Sequence, residues 1–327
     1  MLWPIFQGVL RHLLRAIPTI VGIILVCFFL MSLAPGDLVD VMAADGQISD
    51  PEVIERLRVL YGLDIPIFQQ MLNYFRDVFT LNFGYSYLHS RPVLDLIVER
   101  LPATLLLMVV GLTAAVVLGV FVGAVSALRV NTAVDTLLSV LAVLFFAIPS
   151  FWFSLMLVVV FSVKLGWFPV AGFHSLNTAD MTSFELLLDI ARHLVLPALS
   201  LALFYAAIYA RVMRASMLQV FNLDFVRTAR AKGLAEGRIV WRHVVKNALL
   251  PVVTLVGVQF GTILSGAVVI ESVFSWPGLG SLLLEAMGGR NFPVMMGILI
   301  FSSMLVIVVN ILIDIAYRML DPRIGAS

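Results

Sequence analysis

The residues best suited to chemistry lie in one basic segment, Arg211 to Pro251, which separates two long apolar runs. The segment holds eight lysine or arginine residues against only Asp224 and Glu236, so its net charge is +6, whereas that of the whole chain is +1. Such a concentration of positive charge favours contact with another molecule in water. The segment is therefore expected to lie in the cytosol and to face a partner.

Motifs for enzymatic chemistry are missing from the sequence. A P-loop needs a glycine directly before its lysine, and none of the three lysines, Lys164, Lys232 and Lys246, follows a glycine. The five histidines are scattered, without the short spacings of a metal site. No carboxylate lies at the middle of an apolar run, which argues against a proton- or sodium-coupled carrier. We therefore expect no catalytic residue and no metal site.

The composition indicates a membrane environment. Hydrophobic residues make up 61% of the chain and charged residues 13%, and the mean hydropathy is +1.05. One water-soluble core of 327 residues cannot hide so much apolar surface, so the chain is predicted to be an integral membrane protein. The one cysteine, Cys27, has no partner in the chain for a disulfide.

Six apolar runs are long enough to cross a bilayer, which takes about 17–25 residues of helix. Runs this continuously apolar lack the alternation of a barrel strand, so six transmembrane helices are predicted. Pro149 lies inside the third run and predicts tilt or a kink there. The runs are residues 14–34, 102–128, 134–163, 194–210, 250–270 and 294–316.

Basic residues indicate the orientation of these helices. With both termini in the cytosol, the cytosolic segments together with Arg15 at the edge of the first span hold 13 of the 21 basic residues. The long external loop holds five, which the rule largely ignores, and the short external loops hold three. A cleaved signal peptide is the alternative for residues 1–34. Against it, the apolar run Ile17 to Leu33 exceeds the usual core of about 7–15 residues, and no clear A-x-A site follows. An uncleaved first span is preferred.

The chain is expected to divide into four parts. They are the tail and first span at 1–34, an external loop at 35–101, a transmembrane core at 102–316 that includes the cytosolic loop 211–249, and a cytosolic tail at 317–327. In the external loop, apolar residues at three- and four-residue steps over 51–79 predict short amphipathic helices. These helices either cap the bundle or receive a partner.

The second and fifth spans carry small residues at four-residue spacing, which let another helix approach closely within a membrane. These two stripes consist of Gly111, Ala115, Gly119 and Gly123, and of Gly257, Gly261 and Ser265. A separate polar face of the fifth span is expected to look into the bundle, where it lines a pathway or makes interhelical hydrogen bonds. That face consists of Gln259, Thr262, Gly266 and, at the outer end, Glu271.

Periodicity predicts a helical elbow within the basic segment. The fourth span continues past the bilayer as an apolar helical stripe that breaks just before Asp224. Asp224 is expected to N-cap a short helix that ends at Ala231, with Gly233 in the left-handed position beyond its end. A third helix over about 235–248 carries basic residues at four-residue steps, and Pro251 opens the next span.

Two simpler interpretations also explain the positive charges: an anchor that obeys the positive-inside rule and a surface patch for anionic lipid. Neither requires two helices joined at a glycine with an apolar face of their own. A partner-docking element does require them, so docking is the preferred interpretation.

The elbow resembles the EAA coupling loop of ABC importer permeases, in particular the dipeptide, oligopeptide and nickel branch. The resemblance rests on Asp224 to Leu234 and on Asn247 to Pro251. The motif's Glu-Ala-Ala reads Arg227-Thr228-Ala229 here, so the ionic contacts of other branches do not transfer. Further similar stretches follow in order along nearly the whole chain. They are Ala34-Pro35-Gly36-Asp37, Tyr61-Gly62-Leu63-Asp64, Asn82-Phe83-Gly84-Tyr85-Ser86, Glu271 to Gly280 and Asp321-Pro322-Arg323-Ile324.

This resemblance implies the type I ABC importer permease fold: an all-α polytopic protein of the bacterial or archaeal cytoplasmic membrane, with six transmembrane helices and a cytosolic coupling helix. It implies a second homologous permease chain, two ABC ATPase subunits that bind ATP and magnesium and hydrolyse the ATP, and an external substrate-binding protein. The chain itself would hold no cofactor and catalyse no reaction. Di- and oligopeptides are the expected substrates, with glutathione, nickel or another small solute as alternatives. A stand-alone secondary carrier or channel is the rival class.

The resemblance also implies roles for residues of the elbow. Phe225, Val226 and Ala229 would seat in a groove of the ATPase, and Gly233 would act as the hinge. Basic residues of the short helix would steer and orient the contact. The residues implied in coupling are Asp224, Phe225, Val226, Arg227, Ala229, Arg230, Lys232 and Gly233.

Overall fold

The computed structural model describes residues 2–33, 39–40, 43, 50–60, 63–176 and 181–320. Three sequence motifs lie partly or wholly outside these residues: Ala34 to Asp37, Tyr61-Gly62 and Asp321 to Ile324. The described part of the chain is mostly helical and forms two compact units. One unit comprises Met1–Leu101 with Leu282–Ser327, and the other comprises Pro102–Ser281, so the predicted core 102–316 is not one compact unit.

The elements follow one another as long helices separated by short turns. In chain order they are α1 (Leu2–Leu33), α2 (Pro51–Leu60), α3 (Ile67–Phe79), β1 (Tyr85–Ser86), β2 (Arg91–Pro92), α4 (Val93–Leu128), α5 (Ala133–Ala147), α6 (Ser150–Leu157) with a π-helical continuation (Val158–Lys164), α7 (Ser183–Phe221), α8 (Asp224–Ala231), α9 (Glu236–Ile239) with a π-helical continuation (Val240–Val245), α10 (Lys246–Val273), α11 (Leu279–Gly288) and α12 (Phe292–Leu320).

In the first unit, α1 packs along α12, and α3 packs against α1, where the rings of Phe28 and Tyr74 lie 5.9 Å apart. The short helices predicted over 51–79 are present as α2 and α3. The motif Asn82 to Ser86 leads into a two-stranded antiparallel hairpin. The hairpin is anchored by Asn291, whose buried side-chain amide donates to Ser86 Oγ at 2.7 Å.

In the second unit, α7 is the central helix, and α5, α6 and α10 all pack against it. A capping box begins α7: the Thr182 hydroxyl accepts from the backbone of Glu185, and the Glu185 carboxylate accepts from that of Thr182. The apolar stripe predicted beyond the bilayer is confirmed, because Met213 and Met217 are fully buried near the end of this helix. α7 thus carries the core of the unit to the start of the elbow.

The helices agree with a multi-pass membrane protein. By length and composition, four described helices can cross a membrane, or five if the bent pair α5 and α6 counts as one span. They lie at Val93–Leu128, Ser183–Phe221, Glu236–Gly257 and Phe292–Leu312, and the bent pair covers Ala133–Ala147 and Ser150–Lys164. The predicted first span falls within α1, whose described apolar part is Ile17–Leu33.

The bend predicted in the third span is confirmed and is sharper than a kink. The helix stops at Ala147, and α6 begins after Pro149 at an angle of 104°. Proline disfavours helical dihedrals in the residue before it, and Ile148 is accordingly extended at ψ 130°. The third apolar run is therefore two helical segments.

The small-residue stripe of α4 packs against α7, as predicted. A Cβ at Gly119 would lie 2.5 Å from the Cβ of Tyr209 and 2.9 Å from the carbonyl oxygen of Ala206. Gly111 meets Leu201, Gly123 meets Ala210, and Ala115 is fully buried between them. Because backbone atoms form part of this contact, the neighbour has little room to yield.

Replacement of Gly119 by leucine is expected to destabilise the chain by about 2 kcal/mol or more, because the side chain would push α4 away from α7. Thermal unfolding of the full chain in detergent measures the effect. Gly22→Leu in α1 is the matched control, since a Cβ at Gly22 meets nothing within 4 Å. Equal melting temperatures of the two variants would contradict the close contact.

The predicted stripe of α10 is only partly covered within this chain, so its role in helix packing stays a prediction. Gly257 is buried, but Gly261 is only half-buried and Ser265 is exposed. The buried face of α10 is formed by larger side chains, namely Phe260, Ile263, Ala267 and Ile270. Four-residue spacing of small residues shows that they share a face, but it does not show which face another helix covers.

Candidate functional site

The short helix of the elbow has the predicted bounds. α8 runs from Asp224 to Ala231, after α7 ends at Phe221 with Asn222 as its C-cap. The predicted N-cap is wrong: Leu223 holds that position in an extended conformation, and the Asp224 side chain is 98% exposed without a capping hydrogen bond. Asp224 is instead the first residue of α8, where its negative charge interacts favourably with the positive end of the helix dipole. It also lies 3.7 Å from Arg227.

The apolar side of α8 faces the chain itself. Val226 is 0% exposed, Ala229 is also buried, and only Phe225 of the predicted apolar face remains accessible, at 42%. Because Val226 and Ala229 are buried within this chain, the predicted seating of all three side chains in a groove of the ATPase is wrong. Val226 and Ala229 are buried against the rest of the chain, and Phe225 remains exposed.

Gly233 has the predicted left-handed conformation, with φ +72°. The amide of Gly233 donates to the carbonyl of Arg230 at 2.9 Å, and that of Leu234 donates to the carbonyl of Ala229 at 3.4 Å. This pair of hydrogen bonds is the Schellman ending of a helix. A Cβ at Gly233 would meet nothing within 4 Å, so the need for glycine comes from the backbone conformation and not from space.

The second arm of the elbow is the start of a membrane helix. α9, the π-helical segment Val240–Val245 and α10 follow one another with helical dihedrals at each junction, so the predicted helix 235–248 and the fifth span are continuous. Pro251 consequently lies inside α10 and does not open it. The predicted apolar face is confirmed, since Ile239 and Val244 are fully buried.

The outward face of the elbow, which we call the elbow surface, combines aromatic and basic side chains. Its two exposed aromatic residues are Phe225 and Trp241, and the latter is 68% exposed. The exposed basic residues of the elbow are Arg227, Arg230, Lys232, Arg238, Arg242 and Lys246. Aromatic rings and arginines are the side chains that most often contribute strongly to protein interfaces.

Arg230 differs from the other basic residues because it is held within the elbow. Its Nε donates to Glu236 Oε1 at 2.8 Å, and its guanidinium carbon lies 5.9 Å from the centre of the Phe221 ring. The hydrogen bond that Arg230 donates to the Glu236 carboxylate raises the pKa of Arg230. The pair connects α8 to α9 across Gly233, so Arg230 is a brace of the elbow as well as part of its surface.

The residues of the predicted polar face of α10 have different environments. Thr262 is exposed and donates to the carbonyl of Gln259 at 2.7 Å, and Gln259 itself is half-buried. A Cβ at Gly266 would lie 3.2 Å from the hydroxyl oxygen of Tyr205 on α7. Only Thr262 is therefore freely accessible among these three residues.

Glu271, the fourth residue of that face, is 0% exposed, so of the two predicted roles it has the interhelical hydrogen bond and not the pathway lining. One carboxylate oxygen accepts from the Thr104 hydroxyl at 2.7 Å, and the other accepts from the amides of Gly280 and Ser281 at 2.7 and 3.1 Å. The Thr104 oxygen in turn accepts from the amide of Leu279 at 2.8 Å. The motif Glu271 to Gly280 is thus a turn closed around a buried carboxylate.

A second aromatic anchor fixes the same turn. Trp276 is fully buried, and its indole Nε1 donates to the carbonyl of Ala103 at 2.8 Å. Its ring packs edge-on against Phe173, at 4.8 Å between centroids. The motif therefore attaches the end of α10 to α4 through Ala103 and to the loop before α7 through Phe173.

Sequence reasoning missed an ion pair between Arg214 and Asp135 in the second unit. Arg214 of α7 donates from Nε and Nη2 to the two carboxylate oxygens of Asp135, both at 2.8 Å. The Asp135 carboxylate also accepts from the hydroxyl of Ser126 and from the amide of Asn131. The pair joins α7 to the first turn of α5, directly after the turn from α4. No local pattern in the sequence indicates this pair, because its two residues are 79 positions apart.

Two family models match the chain. Residues 115–326 match the model described as binding-protein-dependent transport system inner membrane component. Residues 5–108 match the model for the N-terminal part of such membrane components. Together the two matches include the elbow, the Glu271 turn and the hairpin.

Several known proteins are similar to this chain along nearly its whole length. The oligopeptide transport system permease protein AppB of Bacillus subtilis (strain 168) is 40% identical over 317 residues, which cover 97% of this chain and 98% of AppB. The di/tripeptide transport system permease protein DppB of Pseudomonas aeruginosa (strain UCBPP-PA14) is 38% identical over 327 residues, which cover 96% of this chain and 97% of DppB.

Among solved structures, an inward-facing form of the MetNI methionine ABC transporter is similar in fold. The TM-score is 0.57 at 19% identity, and the match covers 69% of this chain and 96% of that chain. At this level of identity the similarity concerns the fold alone. It supports an all-α membrane permease fold.

Proposed function

The chain belongs to the family of inner membrane components of binding-protein-dependent transport systems, and we propose that it is the permease subunit of an ATP-driven importer of di- and oligopeptides. The proposal of a peptide substrate is supported by AppB and DppB, which are named as peptide permeases and align with nearly the whole chain. The proposal of an external motor is supported by the elbow surface. Glutathione, nickel or another small solute is the alternative cargo.

The proposed assembly contains this chain, a second homologous permease chain, two ATPase subunits and an external substrate-binding protein. ATP and magnesium are bound by the ATPase subunits, and this chain contributes no catalytic group. The proposed topology has six transmembrane helices with both termini in the cytosol, and it rests on the distribution of basic residues. In this topology the elbow lies on the cytosolic side, where an ATPase can reach it.

The proposed coupling begins at the elbow surface. Phe225 and Trp241 enter the ATPase interface as apolar anchors, and Arg227 and Lys232 orient the contact through their charges. Closure of the two ATPases moves α8, which transmits the movement through its buried residues to α7. The permease then changes between inward- and outward-facing states as a rigid-body switch. Thr262, Gln259 and Gly266 are proposed to face the pathway.

Replacement of Trp241 by alanine is expected to weaken binding of the ATPase by about tenfold or more, because large exposed aromatics are typical interface hot spots. Retention of the ATPase subunits on the purified permease, measured against ATPase concentration, quantifies the loss. The matched control is Trp167→Ala, which removes a tryptophan of similar exposure (64%) outside the elbow. Equal affinities of the Trp241 and control variants would contradict the docking role.

A stand-alone carrier or channel is the rival function, and reconstitution separates the two. Proteoliposomes that contain this chain with its permease and ATPase partners are expected to take up peptide from the binding protein only when ATP is present. Uptake by this chain without ATPase subunits would contradict the proposed function. The substrate is tested separately, by binding of a peptide library to the cognate binding protein.

A further inference from the structure

A pocket of about 250 Å³ opens between α4, α5 and α7 in the second unit. Its polar lining consists of Ser126 on α4, Ser139 on α5, and Arg211 and Arg214 on α7. Its apolar lining includes Val122, Leu138 and Val143. The described residues that line the pocket include two arginines and no acidic residue. We call this cavity the arginine pocket.

In the proposed topology, the arginine pocket lies near the cytosolic end of α4. Ser126 is two residues before the end of α4, close to the turn that leads into α5. Val143 is ten residues after the start of α5 at Ala133, which places it about 15 Å further along that helix. The pocket lining therefore extends from near the turn between α4 and α5 along α5, toward the membrane interior of this topology.

The two arginines have different roles in the pocket. Arg214 is held in place by Asp135, which occupies its Nε and Nη2 and leaves Nη1 outside the carboxylate pair. Arg211 is exposed and makes no ion pair within the part of the chain that the structure describes. Asp135 compensates the charge of Arg214 only, so the pocket wall keeps one uncompensated positive charge beside a fixed guanidinium.

We propose that the arginine pocket binds an anionic phospholipid, with its phosphate between Arg211 and Arg214 and an acyl chain along Val122, Leu138 and Val143. Arginine binds phosphate oxygens through charge-assisted hydrogen bonds, and basic pockets between transmembrane helices are suited to anionic headgroups. A free hydrated anion would leave the apolar lining of the pocket without a partner. A phospholipid matches both the arginines and the apolar lining.

Such a lipid contacts the helix that leads into the elbow. It contacts α4, α5 and α7 at the same level as the Asp135–Arg214 pair, and α7 leads through Asn222 directly into α8. The lipid therefore braces the helix that carries the coupling movement. Lipid binding requires neither ATP nor peptide, so its test is independent of the proposed transport function.

Native mass spectrometry of the full chain in a neutral detergent tests the proposal, with phosphatidylglycerol and phosphatidylcholine as the added lipids. The wild-type chain is expected to bind phosphatidylglycerol in preference to phosphatidylcholine. Arg211→Gln is expected to weaken phosphatidylglycerol binding about fivefold, as for the loss of one arginine contact to an anionic lipid. This variant keeps the Asp135–Arg214 pair and so is expected to fold.

Arg129→Gln is the matched control, because Arg129 is exposed on the turn between α4 and α5 and does not line the pocket. It removes the same charge nearby and is expected to leave phosphatidylglycerol binding unchanged. Ala142→Phe fills the pocket without a change of charge and is expected to weaken binding of the same lipid. Equal loss in the Arg211 and Arg129 variants would overturn the proposal, as would displacement of the lipid by millimolar inorganic phosphate, which would indicate a free-anion site.

Discussion

Replacement of Gly233 by valine is expected to reduce peptide uptake at least tenfold while the ATPase subunits of the complex continue to hydrolyse ATP. Gly233 has φ +72°, where a β-branched residue costs about 1–3 kcal/mol. Valine would therefore shift the end of α8 and change how α8 and α9 meet. ATP hydrolysis would proceed, but the movement would no longer reach α7. The ratio of peptide imported to ATP hydrolysed in proteoliposomes measures the effect.

Two controls separate backbone conformation from side-chain size in this experiment. Gly237→Val introduces the same side chain into the same elbow at a glycine that is not left-handed and has no neighbour within 4 Å of a Cβ, so it is expected to couple normally. Gly233→Asn is expected to retain most of the uptake, since asparagine tolerates the left-handed region. Normal uptake by Gly233→Val would rule out the proposed role of this turn.

Local signals explain why parts of the elbow were predictable. The break before α8 and the glycine after it are both encoded within a few residues, so the bounds Asp224 to Ala231 and the left-handed Gly233 follow from the sequence. The stripe of α4 was predictable for a related reason. Its glycines share one face by helical periodicity, and small residues on one face of a membrane helix typically let another helix approach closely.

Other features depend on contacts that no local pattern contains. The assignment of the N-cap failed by one residue, because Leu223 is the residue that takes the extended conformation. Burial of Val226 and Ala229 depends on what lies beneath α8, and periodicity alone shows only that the two residues share a face. The same limit applies to α10, where the small-residue stripe and the buried face differ.

The contacts of Glu271 are the clearest example of a feature that no local sequence pattern contains. From the sequence, a carboxylate at the outer end of a polar helix face predicts either a pathway residue or an interhelical hydrogen bond, without identifying the partner. Its hydroxyl partner, Thr104, is 167 residues away, and the amides of Gly280 and Ser281 reach it only because the chain turns back. The glycines of the motif Glu271 to Gly280 hold the relevant information, since Gly278 and Gly280 leave room for this carboxylate.

Replacement of Glu271 by alanine is expected to destabilise the chain by about 3 kcal/mol or more, because the Thr104 hydroxyl and the two backbone amides would lose their buried acceptor. The melting temperature of the full chain in detergent is expected to fall by about 5 °C or more. Glu99→Ala is the matched control, since the Glu99 side chain is 57% exposed in its ion pair with Arg91. A melting temperature as high as that of the control would contradict the structural role of Glu271.

A second substitution tests whether the Glu271 carboxylate fills the space in front of Gly278. A Cβ at Gly278 would overlap the carboxylate of Glu271, so Gly278→Ala alone is expected to destabilise the chain as well. In the double variant the truncated Glu271 side chain no longer meets the new methyl group. The combined loss is therefore expected to be smaller than the two single losses together by about 1 kcal/mol or more. Additive losses would mean that the two sites act independently, and the closed turn around Glu271 would then be wrong.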